Sequence, residues 1–278
     1  MDNISCCIIA VQKDESNISH WIDYHLQQGF SHIFILDNND IGNELSVKQK
    51  CVTILPANSI CDHHISRIQS KLYNFVLDYI LSINSIKQLY THVLCIDVDE
   101  YFYYLKGNIN DFIKNELTVD AISIPWICYD DNDIILKSSL QYNNPIQNYT
   151  REAKNKWIFT DNDYKTLAKI DDNLIKLDIH YVDDLGIHGF IDRNIAHIKH
   201  YRTQCLEEYM DKVILRKCWD NEWWYNFGEN TVKFYFNYNE ISNKKLEAFK
   251  YFFEKYNLKM SDSDKQFIEN NYKRPILQ

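Results

Sequence analysis

The sequence predicts an α/β fold, a mostly parallel sheet flanked by helices, with a helical C-terminal appendage. Three observations carry this. Strand-like and helix-like runs alternate over the first 130 residues, the pattern that crossover connections between parallel strands produce. With 278 residues, 45% hydrophobic and 25% charged, the chain can bury a sizeable core. From Leu206 the pattern turns helical and aromatic, with no Gly-, Pro- or Ser-rich linker before it.

Taken in order, "ISCCIIAV" (4–11) is a buried strand. "NISHWIDYHLQQGF" places Ile18, Trp21, Ile22 and Leu26 at helical spacing and ends on Gly29, a stop signal. "HIFILDN" (32–38) and "CVTILPA" (51–57) read as strands, 62–83 as a long helix, and "THVLCID" as the next strand. A short helix over 109–117 precedes the strand 121–129. Residues 130–163 are rich in Asn and Asp and read as a long excursion, after which "KTLAKI", "NLIKLDIHYV" and "NIAHIKHY" return to β character. The segments 206–219 and 243–272 are helical in pattern. The expected division is 1–205 for the α/β domain and 206–278 for a helical extension packed on it.

Composition excludes several classes. A net charge of −9 argues against nucleic-acid binding, which wants a basic face. Residues 206–278 hold 12 charges of each sign, so the acidic surplus falls on 1–205, where a cation site or a solvated acidic surface would put it. The eight cysteines sit mostly in apolar runs and form no CxxC pair, which fits buried thiols in a reducing compartment better than disulfides or a zinc ribbon. No apolar run approaches the roughly 18 to 20 residues that span a bilayer. The first residues carry Asp2 and no basic leader, so a cytoplasmic protein is expected.

The chemistry concentrates in "THVLCIDVDEYFYY", where an apolar strand runs into Asp97, Asp99 and Glu100. In open α/β sheets ligands bind beyond the carboxyl ends of the strands, so this cluster lies where a ligand would sit. Residues two apart in a strand point to the same side, so Asp97 and Asp99 can share a partner while Val98 turns to the core. Carboxylates so close call for a cation, and a hard divalent ion, Mg2+ or Mn2+, fits oxygen ligands and keeps positions open for phosphates. With six glycines the chain has neither GxGxxG nor GxxxxGK[ST], which disfavours dinucleotide-binding and P-loop domains. A parallel sheet can instead hold a nucleoside diphosphate through a metal on D-x-D.

These residues resemble a glycosyltransferase of the GT-A fold, and more closely its family 2-like and family 92-like group. That group opens with roughly (K/R)-N-E, then E-W-x-x-Y-H, a Gly and a strand ending in D-N. Here these are Lys13-Asp14-Glu15, His20-Trp21-Ile22-Asp23-Tyr24-His25, Gly29 and Ile33 to Asn38. "IDVDEYF" matches I-D-x-D-E-F, and "HIKHYRTQCLEEYMDKV" resembles an H-Y segment leading into a helix. The resemblance spreads over about 200 residues. It departs at Asp14, at "DNNDIGN", and at Asp130-Asp131, where a Gly-Ser type segment is usual; Trp126 resembles a Trp of the group.

The resemblance implies a metal-dependent, inverting hexosyltransferase that uses a nucleotide sugar, UDP-linked, on a glycan or lipid-linked acceptor. Asp97 and Asp99 would hold metal and ribose-diphosphate, Asp99 as the direct ligand, with His200 or His180 completing the shell. Asp37 would accept from the donor's ribose or base, an Asx turn being the plainer reading. Lys13, Glu15 and Gln69 match the group's donor-side positions; Lys13, Arg67, Lys71 and Lys199 could neutralise the departing diphosphate. Asp130 or Asp131 is the candidate general base. His20 and His25, about 140° apart on a helix, do not suit a joint metal site. Trp219, Trp223, Trp224 and Tyr225 could stack on a sugar or meet the cytosolic membrane face, core packing being the simpler expectation. Two rivals stand: a nucleotidyltransferase, which wants a Gly-rich loop that "VQKDESNIS" lacks, and a non-catalytic sugar-binding or assembly module on the same fold.

Overall fold

The computed structural model describes residues 4–40, 42–60, 68–142, 144–153, 164–171, 174, 176–178, 180, 182–183, 188–215 and 230–272. The chain forms two compact units, Met1–Ile127 with Phe159–His200, and Cys128–Ile158 with Tyr201–Gln278.

The first unit contains the sheet. Its strands are β1 (Cys6–Gln12), β2 (His32–Asp37), β3 (Val52–Pro56), β4 (His92–Cys95), β5 (Glu100–Tyr104), β6 (Ala121–Cys128), β7 (Tyr164–Lys169), β10 (His188–Phe190) and β11 (Ala196–His200), while β8 (Lys176–Leu177) and β9 (Val182–Asp183) form a separate antiparallel pair. The order is β3-β2-β1-β4-β7-β6-β11-β5, with β10 on β6. β1 pairs in parallel with β2 and β4, and β2 with β3. β7 runs antiparallel to both β4 and β6, and β11 antiparallel to β5.

The fold is therefore α/β, but the sheet is mixed rather than mostly parallel. Parallel neighbours need a crossover, usually helical, and the strand-helix alternation that supplies one stops at about residue 97. Beyond it the chain reaches β5 through a tight turn and returns to β7 from the excursion after β6. The parallel half behaves as the alternation predicts. Cys6 to Ala10 and Ile33 to Leu36 are buried throughout, as strands covered on both faces must be. Because β1 has β2 on one side and β4 on the other, the strand order reverses there, and the carboxyl ends of β1 and β4 lie at the kind of switch point where open α/β sheets bind ligands.

Helix α1 (Ile18–Gln27) buries Trp21, Ile22 and His25 and stops before Gly29, whose φ of +87° suits glycine. Helix α2 (Ile68–Ser82) lays Leu72, Tyr73, Val76, Leu77 and Ile80 on the core shared by β1, β2 and β4. Short α3 (Asn84–Lys87) follows, and α4 (Ile109–Glu116) starts with a reciprocal cap between Asn108 and Asp111.

The second unit has its own aromatic core, with Tyr209, Tyr235, Phe236, Phe249, Phe252 and Ile268 at its centre. It comprises α5 (Pro145–Asn148), α6 (Leu206–Met210) running on into a π turn (Asp211–Leu215), and helices Thr231–Tyr235, Asn243–Lys255 and Asp262–Asn271. Ser242 and Ser261 cap the last two through Lys245 N–H and Asp264 N–H. Among the described residues, no helix is long and apolar enough to cross a membrane.

His25 gives a pH prediction. It is fully buried; Nδ1 donates to the Trp21 carbonyl (2.8 Å) and Nε2 accepts from Phe102 N–H (3.3 Å). Burial lowers its pKa from 6.5 to about 3. The unfolded chain accepts a proton that the folded chain refuses, so stability falls as pH drops below 6.5, by up to about 1.4 kcal/mol per pH unit. His25→Leu is expected to flatten this acid limb, read from urea midpoints at several pH values; an unchanged slope would contradict it.

Candidate active site

Helix α1 builds one wall of the site. Trp21, Tyr24 and His25 lie at i, i+3 and i+4 and so share a face. Trp21 Nε1 donates to the Glu100 carbonyl (2.7 Å) and Tyr24 Oη to the Phe102 carbonyl (2.8 Å), while His25 accepts from Phe102 N–H. β5 ends the sheet, and these side chains satisfy its outer edge. The spacing of Trp, Tyr and His in the helix thus fixes the strand that begins with Glu100.

Between β4 and β5, residues 97–100 form a tight turn rather than the extended strand expected. Glu100 N–H donates to the Asp97 carbonyl (3.0 Å), and Asp97 N–H to Glu100 Oε2 (2.9 Å). Turning at Val98 sends the two aspartates to different partners. Asp97 Oδ2 lies 3.0 Å from Lys165 Nζ, and Oδ1 accepts from Gln69 Nε2 (3.0 Å) and Tyr73 Oη (3.5 Å). Asp99 Oδ1 lies 3.6 Å from His200 Nε2.

β11 delivers His200. Its register sets His200 opposite Glu100, and His200 Nδ1 is 3.8 Å from Glu100 Oε1. The Trp126 ring meets both late histidines edge to face, with centroids 4.5 Å from His200 and 5.2 Å from His180. Lys165 Nζ lies 5.6 Å from the centre of the same ring.

The electrostatics follow from burial. Lys165 and Glu100 are completely buried, Asp99 and His200 are 5% exposed, and the Asp97 side chain keeps 26% exposure. Burial would raise the Asp97 carboxyl, but the charge of Lys165, its hydrogen bond and the nearby His200 together hold Asp97 below its ordinary value. Burial pushes Glu100 well up against the pull of Lys165. Lys165 itself is disfavoured by burial and raised above its ordinary value by Asp97 and Glu100. Burial, aided by Lys165, lowers His180 to about 4. His180 is therefore neutral at pH 7, with Nδ1 3.2 Å from the Tyr164 carbonyl to which it donates.

The other expected residues lie as follows. Lys13 and Glu15 follow β1, both partly exposed, and Lys71 is exposed on α2. Asp37 ends β2, buried; its carboxylate accepts from Gln12 Nε2, Asn39 N–H (3.2 Å) and Leu45 N–H (2.6 Å), which includes an Asx turn. Lys199 alternates away from His200, with its ammonium 4.4 Å from the centre of the Tyr103 ring. Arg67, Trp219, Trp223, Trp224 and Tyr225 lie outside the described residues.

Asp130 and Asp131 belong to the second unit, where both are buried. Arg151 Nε donates to Asp130 Oδ2 (2.5 Å); Lys245 Nζ reaches both Asp131 oxygens at 2.8 Å, and Tyr235 donates to Oδ2 at 2.5 Å. Both carboxylates hold their own unit together.

Lys165 is the residue of this cluster that the sequence reading did not single out. The available signal was a lysine inside a run of β character, since an ammonium that proves fully buried demands a carboxylate. Its strand also contains exposed Lys169, and the pattern alone does not separate the two.

For a divalent cation, Asp99 and His200 offer an oxygen and a nitrogen, 3.6 Å apart, that can meet on one ion, while Lys165 pairs with Asp97. Among the described residues no group of three or more His, Cys, Asp or Glu side chains converges as a metal site. The donor set fits an ion that takes its remaining ligands from phosphate and water. No protein-family model matches the chain, and no curated protein matches it significantly.

Proposed function

We propose that the chain is a metal-dependent glycosyltransferase of the GT-A type that moves a hexosyl group from a UDP-sugar to a glycan or lipid-linked acceptor. One observation carries the reading: a buried, polar, charged cluster of Asp97, Asp99, Glu100, Lys165 and His200 stands at the carboxyl end of β4, beside the reversal of strand order. The parallel half of this mixed sheet, without a Gly-rich phosphate loop, would bind a nucleoside diphosphate there if a cation joins it.

In this reading Asp99 and His200 would hold Mn2+ or Mg2+, with His180 the second choice for the imidazole. When bound, the ion neutralises the diphosphate as it leaves. Asp97, open on one side, accepts hydrogen bonds from donor hydroxyls. Glu100 holds the turn through Asp97 N–H, and its other oxygen lies 3.8 Å from His200 Nδ1. Lys13 and Glu15, just after β1, would meet the donor in the same reading. The engaged oxygens of Asp130 and Asp131 support a structural part for them rather than that of general base. A cytoplasmic location, with peripheral contact at the membrane face, belongs to the same proposal.

The pairing of Asp97 with Lys165 favours a second reading, a sugar-binding module without turnover, because it satisfies part of the negative charge internally. Incubating the chain with UDP-, GDP- and CMP-sugars and Mn2+ separates the two. Slow hydrolysis of a UDP-sugar supports the transferase, and binding without hydrolysis supports the module. His200→Ala is expected to lower Mn2+-dependent turnover at least tenfold, about 1.4 kcal/mol. His180→Ala should do less, and the reverse ranking would exchange their roles.

A further inference from the structure

We propose that Lys165 is a positioning residue that reserves Asp97 for the donor's hydroxyl groups, an inference that rests on the donor-binding reading above. Its ammonium is completely buried, 3.0 Å from Asp97 Oδ2 and 3.4 Å from Glu100 Oε2. Sheet register puts it there. β7 runs antiparallel to β4 with Leu94 opposite Leu167, so the same register carries Lys165 one residue past the end of β4, to the level of Ile96 and next to the turn that starts at Asp97.

With Lys165 on one oxygen and Gln69 and Tyr73 on the other, the Asp97 carboxylate is held in a single orientation. Neutralised in this way it is a poor ligand for a divalent cation, which would have to approach an ammonium. With three of its roughly four acceptor positions taken, it keeps about one, on the oxygen that faces Lys165, for an uncharged hydroxyl. Lys165 therefore divides the work of the motif, with Asp97 serving hydroxyls and Asp99 serving the cation. Its second contact fixes Glu100, which faces His200, so one buried charge sets both halves of the site.

The test measures Mn2+ affinity of the full chain without nucleotide, Mn-bound waters by pulsed EPR in isotopically labelled water, and UDP affinity at saturating Mn2+. Lys165→Met should release Asp97, so that Mn2+ binds at least about tenfold more tightly and loses a bound water while UDP binds at least about tenfold more weakly. Adding Asp97→Asn should cancel the gain in Mn2+ affinity, and Lys165→Arg should keep the wild-type water count and recover part of the UDP affinity. If Lys165→Met lowers only thermal stability, with Mn2+ affinity and waters unchanged, the lysine is merely structural and the proposal fails. If that variant does not fold, Asp97→Asn decides. Mn2+ affinity within about twofold of wild type with UDP weakened at least about tenfold supports the proposal, and an added Mn-bound water overturns it. A wild-type chain that binds neither Mn2+ nor UDP overturns the donor-binding reading and this inference together. One that binds both, while Asp97→Asn gains a water, overturns the inference alone.

Discussion

Asp99→Asn is expected to weaken Mn2+ binding at least about a hundredfold, or about 2.7 kcal/mol, while the fold survives. Asn keeps the shape and one oxygen but loses the charge, and hard cations select charged oxygen ligands. In the proposed site Asp99 supplies the charged oxygen and His200, 3.6 Å away, a neutral nitrogen, so no second protein carboxylate compensates. Asp97 is committed to Lys165. UDP binding that needs the cation should fall with it, as calorimetry with and without Mn2+ can record. A variant that keeps both affinities removes Asp99 from the cation site.

Lys245→Met is expected to destabilise the second unit by about 3–5 kcal/mol. Lys245 is 1% exposed and Asp131 fully buried, and the ammonium lies 2.8 Å from both Asp131 oxygens and from Asp133 Oδ1. Removing the cation leaves a buried carboxylate whose remaining donors include Tyr235 and Asp133 N–H. Pairing Lys245→Met with Asp131→Asn should restore at least about 1 kcal/mol, because an uncharged amide costs less to bury than an unpaired carboxylate. Urea unfolding of the single and double variants gives both numbers. The series also bears on Asp131 as a general base: a structural aspartate loses stability when altered, whereas a base loses turnover and keeps stability.

Local pattern made much of the first unit legible. The buried runs at 6–10 and 33–36 and the helical spacing of Ile18, Trp21 and Ile22 depend only on near neighbours, and they appear as read. Pairing direction did not. Periodicity marks a strand but not its partners, and β7 inserts between β4 and β6 from an excursion whose route no local signal encodes. β5 was hidden because "EYFYY" follows an acidic motif and reads as its continuation, although it forms a five-residue pairing with β11. At the site, Asp97, Asp99 and His200 stood out by residue type and position. Lys165 did not, since its importance comes from register across 68 residues of chain. The links from Asp131 to Tyr235 and Lys245 join segments more than a hundred residues apart, and the sequence shows them only as separate charges.

The most direct test of the account is calorimetric titration of UDP into the full wild-type chain, first with Mn2+ and then with a chelator. Binding with Mn2+ and at least about a tenfold loss of affinity on removing the ion are expected. Equal affinity in the two titrations, or no binding in either, would contradict it.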